Sequence, residues 1–299
     1  MTLDRRTFLR ASAGAVALAA GGAFAADAPA KRALKKAVMY ATIGYKGGVL
    51  EKFQALKAAG FDGVEPMSHM NQDEVVKALE ATGLKAASVC CSTHWAKPLS
   101  HPSEKVREES LDGLFQALKD AKRYGAPSVL FVPGRVTKDV TYKEVFDRSI
   151  EGVRKAIPLA ETLGVKIAVE NVWNDFITKP EQAREYLDAV KSDAVGWHLD
   201  VGNTGRYNAP ETWIPVLGAK LVNLHIKEFD TRAMTPANPG KGFGAKLMEG
   251  TNDWPAIMKA LDAVGYSGWG ISEQPGSQSA DAAALKDLAD RIDRIYASK

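Results

Sequence analysis

Eight short apolar, β-branched runs alternate with amphipathic stretches of helical period along this chain, and that beat limits the fold more than any other feature. The pattern predicts strands over Ala37–Thr42, Gly63–Glu65, Lys85–Cys91, Ser128–Pro133, Lys166–Glu170, Val195–Asp200, Leu221–His225 and Trp269–Glu273. Helices are expected over Gly48–Ala59, Gln72–Thr82, Glu104–Tyr124, Tyr142–Leu163, Pro180–Val190, Ala209–Leu217, Trp254–Val264 and Ala280–Ala297. Several of them run into glycine (Gly60, Gly83, Gly164, Gly265), the residue that takes the left-handed conformation just past a helix end. Ala209–Leu217 is the exception in this set, because Pro210 suits a helix start whereas Pro215 opposes continuation.

Eight strands, each followed by a helix, predict an α/β fold of the (β/α)8 TIM-barrel type. An open doubly wound sheet would carry a glycine-rich phosphate turn after its first strand, and Ile43-Gly44-Tyr45-Lys46-Gly47-Gly48 lacks that spacing. No low-complexity linker divides residues 26–299, so they read as one catalytic domain. The segment Thr235–Thr251 is long, unpatterned and rich in turn residues, as a lid or a mobile surface loop would be.

Residues 1–25 read as an address label. Arg5-Arg6 with Phe8-Leu9, a small-residue apolar stretch from Ala11 to Ala23 and the site Ala23-Phe24-Ala25 are similar to a twin-arginine (Tat) signal peptide. The apolar run is shorter than the ~20 residues that span a bilayer, so no membrane association is expected after cleavage. The Tat export machinery is then a partner, and a periplasmic or secreted location follows. The leader carries three arginines and one aspartate out of totals of 39 and 36 charged residues of each sign, which leaves a mature net charge of about +1. A near-neutral surface argues against a nucleic-acid partner. Cys90 and Cys91 are adjacent in an apolar run and read as buried thiols.

Chemistry concentrates at the ends of the last four strands. Ile167-Ala168-Val169 ends in Glu170, Trp197-His198-Leu199 in Asp200, Val222-Asn223-Leu224 in His225, and Gly270-Ile271-Ser272 in Glu273. In a barrel these C-terminal ends share one rim, where the active sites of this fold lie. Taken singly, each residue also suits a bland role: a solvent-facing strand end, a turn residue or a core histidine. Together they aim three carboxylates and one imidazole at one point, and the mutual repulsion of the acids calls for a cation. This oxygen-rich set suits one divalent metal ion, Mn²⁺ or Mg²⁺ first and Co²⁺ or Zn²⁺ as alternatives.

With Val169-Glu170-Asn171, Leu199-Asp200-Val201-Gly202-Asn203, Leu224-His225-Ile226-Lys227 and Gly265-Tyr266-Ser267-Gly268-Trp269, the chain resembles the xylose isomerase-like TIM-barrel superfamily, in particular its sugar phosphate isomerase/epimerase group. The resemblance implies a metal site on Glu170, Asp200, His225 and Glu273, with Glu170 and Glu273 as the catalytic pair. A metal that chelates a carbonyl and its neighbouring hydroxyl stabilises the enediolate left when the α-proton departs. One carboxylate would remove that proton and the other return it. Glu65, His94, Trp173, His198 and Lys227 are expected to face the carbohydrate substrate. His198 also reads as a core histidine, Lys227 as an ion-pair partner of Glu65 or a ligand carboxylate, and Trp173 as packing under a loop.

Two positions depart from the ketose 3-epimerase pattern. Asn203 stands where those enzymes carry histidine, and Thr231, beside Arg232, stands where they carry arginine. Export further argues against a phosphorylated sugar, so the expected activity is a metal-dependent isomerase or epimerase of an unphosphorylated sugar or keto-sugar. The alternative is a keto-glycoside lyase or inosose-type dehydratase on the same metal site. An apurinic-endonuclease-like enzyme would need more ligands and a basic groove, and a non-catalytic periplasmic sugar-binding protein is a fourth reading.

Overall fold

Parallel strands that are covered on both faces must be apolar nearly throughout, and the strands of this protein obey that demand. The computed structural model describes residues 32–299, and the expected leader lies outside the described residues. Nine strands form one all-parallel sheet: β1 (Lys35–Met39), β2 (Gly63–Glu65), β3 (Lys85–Ala86), β4 (Val89–Cys90), β5 (Ser128–Phe131), β6 (Lys166–Glu170), β7 (Val195–Asp200), β8 (Leu221–Ile226) and β9 (Trp269–Ser272). Their order is β3-β2-β1-β9-β8-β7-β6-β5-β4. The two end members, β3 and β4, are successive pieces of one segment, so the sheet comes round into a nearly closed barrel with eight strand positions. The backbone spans the interruption: Ala87 N donates to Val64 O and Cys90 N to Pro66 O, each at 2.9 Å.

The helices are α1 (Val49–Ala59), α2 (Gln72–Thr82), α3 (Glu104–Tyr124), α4 (Tyr142–Leu163), α5 (Pro180–Val190), α6 (Val201–Thr204), α7 (Trp213–Leu217), α8 (Trp254–Ala263) and α9 (Ala282–Ala297). Asn71, Asp253 and Asp281 cap α2, α8 and α9 with side-chain oxygens, and Thr141 with Glu144 forms a reciprocal capping box on α4. Gly83 and Gly164 end α2 and α4 at φ of 68° and 65°, a conformation that costs a residue with a Cβ.

Two apolar layers result from strand alternation. Val38, Val64, Val129 and Ile167 face outward and pack with helix residues such as Phe53, Leu118, Val153 and Ile292. Ala37, Met39, Cys90, Leu130 and Ile271 point inward and fill the barrel. The (β/α)8 expectation therefore holds, with local differences. The third strand is split in two, and Tyr40–Thr42 turns into a 3₁₀ turn in which the Thr42 hydroxyl donates to Met39 O at 3.0 Å. Ala209–Leu217 becomes a 3₁₀ turn, Pro210–Thr212, followed by α7, with Pro215 in the first turn of α7, where its missing N–H has no intrahelical partner to lose. Among the described residues no helix is long and apolar enough to cross a membrane.

The long loop after β8 is anchored by one carboxylate. Glu228 is wholly buried and accepts hydrogen bonds from Phe229 N (3.2 Å), Met248 N (2.7 Å), Asn252 N (3.3 Å) and the Trp254 indole (2.8 Å). Burial pushes its pKa up, and these four donors oppose the push. Gly250 passes so close that a Cβ there would lie 2.4 Å from the Glu228 carboxylate. Removing the acceptor would orphan several buried donors at about 1–3 kcal/mol each. Glu228→Leu is expected to lose roughly 3 kcal/mol or more and about 6–12 °C in thermal midpoint. Limited proteolysis should then cut first within residues 229–252; cleavage unchanged from the parent protein would contradict this anchoring role.

Candidate active site

Because β6, β7, β8 and β9 are neighbours in register, residues at their C-terminal ends project over the same end of the barrel. Asp200 lies opposite His225 in the β7–β8 ladder, and Glu170 opposite His198 in the β6–β7 ladder. Ligand atoms of Glu170, Asp200, His225 and Glu273 all come within 4.8 Å of one another. His225 Nδ1 lies at the centre of this group, 2.9 Å from Glu170 Oε1, 3.3 Å from Glu273 Oε2 and 3.7 Å from Asp200 Oδ2. The four side chains singled out in the sequence are thus brought together, on a floor where His225 and Asp200 are fully buried and Glu170 nearly so.

Two of the three carboxylates, Asp200 and Glu273, are aimed by a second contact. Asp200 Oδ1 accepts from Asn203 N at 2.7 Å and so caps α6, which leaves Oδ2 for the cluster. Asn171 accepts from Asp200 N at 3.0 Å and donates to Asp200 O at 2.9 Å, locking the end of β7 against β6. Lys227 Nζ donates to Glu273 Oε2 at 2.7 Å and approaches Asp200 Oδ2 at 3.3 Å and Asn203 Oδ1 at 3.4 Å. Its ammonium also sits 4.8 Å from the centre of the Phe243 ring.

The electrostatics follow from burying like charges. Burial, aided by Glu273 and Asp200, pushes the Glu170 carboxyl up to about 7 against the pull of His225. Burial likewise raises Asp200. Burial would also raise Glu273, but Lys227 and His225 outweigh it and hold this carboxyl well below the usual range. For His225 burial disfavours the charge, yet the surrounding carboxylates win and raise the imidazole well above its ordinary value. Without a further cation, one imidazole and one ammonium face four acids, counting Glu65. The donor set therefore fits a divalent ion: three carboxylate oxygens and one ring nitrogen converge on a common point.

Glu65 does not occupy the position expected of it. Its carboxylate is fully buried, 3.0 Å from His225 Nε2, on the side of the ring away from the other three acids. Accepting the Nε2 proton leaves Nδ1 as the nitrogen that can present a lone pair to a metal. His198 also lies away from the cavity. Two residues back along β7 is one layer deeper in the barrel, where its ring packs edge-on against His225 at 4.2 Å and neither nitrogen has a protein partner. Burial and His225 keep it well below its usual pKa, as a neutral ring. Glu65 and His198 are thus corrected from substrate-facing to buried beneath His225, since the same strand face need not mean the same depth.

His94, Trp173 and Lys227 do line the cavity above the cluster, a space of about 230 Å³. His94 Nδ1 accepts from Val132 N at 3.3 Å, and burial lowers its pKa to about 4, so it is a neutral ring. Trp173 donates its indole N–H to Asn203 O at 2.9 Å and packs with Phe229 and Phe243. Lys227 is paired with ligand carboxylates, one of the two roles open to it from sequence. Cys90 and Cys91 are both buried free thiols, and Cys90 reaches the cavity wall.

Sequence reasoning missed Phe243, which the 3₁₀ turn Pro239–Gly244 carries into the cavity wall. The available signal was an aromatic flanked by two glycines inside the long loop. It also missed Met39 and Leu130, inward strand residues with no chemical mark. Arg232, the nearest arginine to the departure at Thr231, pairs with Asp230 at 2.7 Å and donates to Glu249 O, and it does not line the cavity.

The family model described as xylose isomerase-like TIM barrel matches residues 53–295. The chain belongs to that family. Among its relatives, the L-ribulose-5-phosphate 3-epimerase UlaE of Escherichia coli (strain K12) is 24% identical over 249 residues, covering 79% of this chain and 85% of UlaE. In three dimensions the chain is similar to YcjR from E. coli, a 3-keto-D-glucoside 4-epimerase, with a TM-score of 0.73 and 19% identity over 88% of this chain and 98% of that one. It is also similar to D-psicose 3-epimerase from Clostridium cellulolyticum H10, with a TM-score of 0.67 and 18% identity over 88% and 96% of the two chains. At these identities the structural likenesses establish the shared barrel.

The contact between Glu65 and His225 yields a prediction. Glu65→Gln keeps the size and hydrogen-bonding capacity of the side chain but removes its charge from behind the imidazole. Outer partners of this kind are worth about 10–100-fold in metal affinity. Calorimetric titration with Mn²⁺ or Co²⁺ is expected to show a loss of that size for Glu65→Gln, and equal affinity in the two proteins would contradict the assignment.

Proposed function

We propose that this protein is a divalent-metal-dependent epimerase or isomerase acting through an enediolate on an unphosphorylated sugar or keto-sugar. The convergence of Glu170, Asp200, His225 and Glu273 at the floor of one cavity carries the reading. It is supported by relatives whose names are those of sugar epimerases. All three carry the name of an epimerase and none that of a lyase, which favours epimerisation over elimination.

Glu170, Asp200, His225 and Glu273 would hold the ion, Mn²⁺ or Mg²⁺ by the oxygen-rich donor set. When bound, it supplies Lewis acidity toward a carbonyl and an adjacent hydroxyl oxygen. The protein's own groups do the rest. Glu170 and Glu273 are the two carboxylates that border the cavity, and they arrive from strands three positions apart in the barrel, with β7 and β8 between them. One accepts the proton from the carbon next to the carbonyl, and the other delivers a proton to that carbon from the opposite face. Lys227, held against Glu273, donates to a substrate oxygen, and neutral His94 offers a second polar contact at the wall. Phe243 and Trp173 close the apolar side and limit water around the reacting carbon.

The preference for an unphosphorylated substrate rests on charge. Among the described residues, Lys227 is the one lysine or arginine that lines the cavity, and carboxylates already engage it. A phosphate group would find no uncommitted cation there.

Glu170→Gln is expected to lower turnover by about 10³-fold, the scale of a lost general base. Exchange of the substrate α-proton with deuterated solvent, followed by NMR on a panel of keto-sugars with added Mn²⁺ or Mg²⁺, should vanish with it. Exchange that persists in Glu170→Gln, or that survives exhaustive chelation, would refute the mechanism. We further propose that residues 1–25 direct twin-arginine export and are removed. Intact-mass analysis of protein from the periplasmic fraction should then give a chain beginning at Ala26, and loss of Arg5 and Arg6 should retain the precursor inside the cell.

A further inference from the structure

The cavity is divided by chemistry along its depth. Glu170, Glu273, Asn203 and Lys227 make its inner end polar, while Trp95, Trp173 and Phe243 make another part of its wall aromatic. Of these, Trp95 is exceptional in exposure. It is 49% exposed, more than any other large apolar side chain among the described residues, whereas Trp197, Trp213 and Trp254 are buried.

That exposure is not the result of a loose loop. Trp95 sits in a turn closed by Lys97 N donating to Thr93 O at 2.9 Å. On one side Thr93 is packed against Gly113, where a Cβ would come within 2.0 Å of the Thr93 hydroxyl oxygen. On the other, His94 is buried and tied to Val132 N. The backbone thus sends the imidazole into the barrel and displays the next residue, an indole, at the edge of the cavity toward solvent. Leaving an indole in water forfeits burial energy, which a ligand covering it would recover.

The space above the ligand cluster is small. A substrate that places one sugar ring there and carries a second ring must lead that second ring outward along the wall, and Trp95 is the most exposed aromatic side chain on that wall. The apolar C–H face of a pyranose and the face of an arene both match an indole plane.

We propose that Trp95 forms an outer subsite that stacks on a second ring of the substrate, so that the substrate class is a glycoside with a ring-shaped aglycone. This rests on the sugar-epimerase reading of the same cavity. The shared ligand chemistry is a flat apolar ring face, supplied by a second pyranose or by an aryl group.

Ligand-observed saturation-transfer NMR on the full chain with Mg²⁺ tests the subsite. The probes are the methyl glycoside, the 4-nitrophenyl glycoside and the β-1,4-linked disaccharide of glucose, galactose and xylose. In at least one sugar series the ring-bearing probe should bind about five- to tenfold more tightly than the methyl glycoside, the scale of an aromatic stacking contact. Trp95→Ala should bring that ratio to about one, and Trp95→Phe should retain most of it. A gain confined to the 4-nitrophenyl probe supports the subsite with an aryl occupant, and a gain confined to the disaccharide supports it with a sugar. Binding of the methyl glycosides with no gain, or a gain that survives Trp95→Ala, overturns the subsite and leaves the sugar reading intact. No binding of any probe overturns the glycoside subsite, while the sugar reading is decided separately by the proton-exchange experiment on keto-sugars.

Discussion

Three acids and an imidazole share a few ångströms of buried space at the end of this barrel, and much of the surrounding structure exists to hold them there. Such an arrangement is unstable by itself, because like charges in a poorly solvated site raise one another's pKa or drive the groups apart. The protein counters this with geometry. Asp200 commits one oxygen to the Asn203 amide of α6, Glu273 leans on Lys227, and Glu65 accepts from Nε2 on the far side of the His225 ring. The residual negative charge is what makes the point between them attractive to a divalent cation.

Around that floor, polar and apolar duties are separated by depth. The layer beneath holds His198 and Glu65, sealed from solvent and concerned with the imidazole rather than the substrate. The layer above is the cavity, whose cover is brought in by the loop that Glu228 pins. One buried carboxylate, Glu228, therefore fixes the loop, and through Phe243 it shapes the roof over the others. Of the two departures from the ketose 3-epimerase pattern, Asn203 lies in this upper layer and Thr231 lies outside it, on the loop. Asn203 faces Lys227, whereas Arg232, next to Thr231, is engaged by Asp230 and does not line the cavity.

Much of the barrel was legible because its rules are local. Strand and helix periods differ, glycines mark the helix ends, and inward and outward strand positions alternate. The site was legible for a related reason: four strands ended in the same class of residue, and strand ends in a barrel share a rim. The misplacements are also instructive. Of the two roles open to His198 from sequence, its burial matches the core histidine, since alternation along a strand specifies side and not layer. Glu65 was expected to meet a sugar, but its partner is His225, 160 residues away. Nothing in the local pattern around either residue records that pairing.

From sequence alone came the succession of strands and helices, the breaks between them and the chemical character of the residues at each strand end. These depend on neighbours a few positions apart, where backbone preference and side-chain period act directly. Tertiary structure alone decided which acid faces the cavity and which backs the imidazole, where the loop after β8 lays Phe243, and that Trp95 is displayed while His94 is buried. Those outcomes depend on the closure of the sheet and the packing of layers, in which residues from distant segments compete for one small volume. Only when the barrel closes does that volume exist.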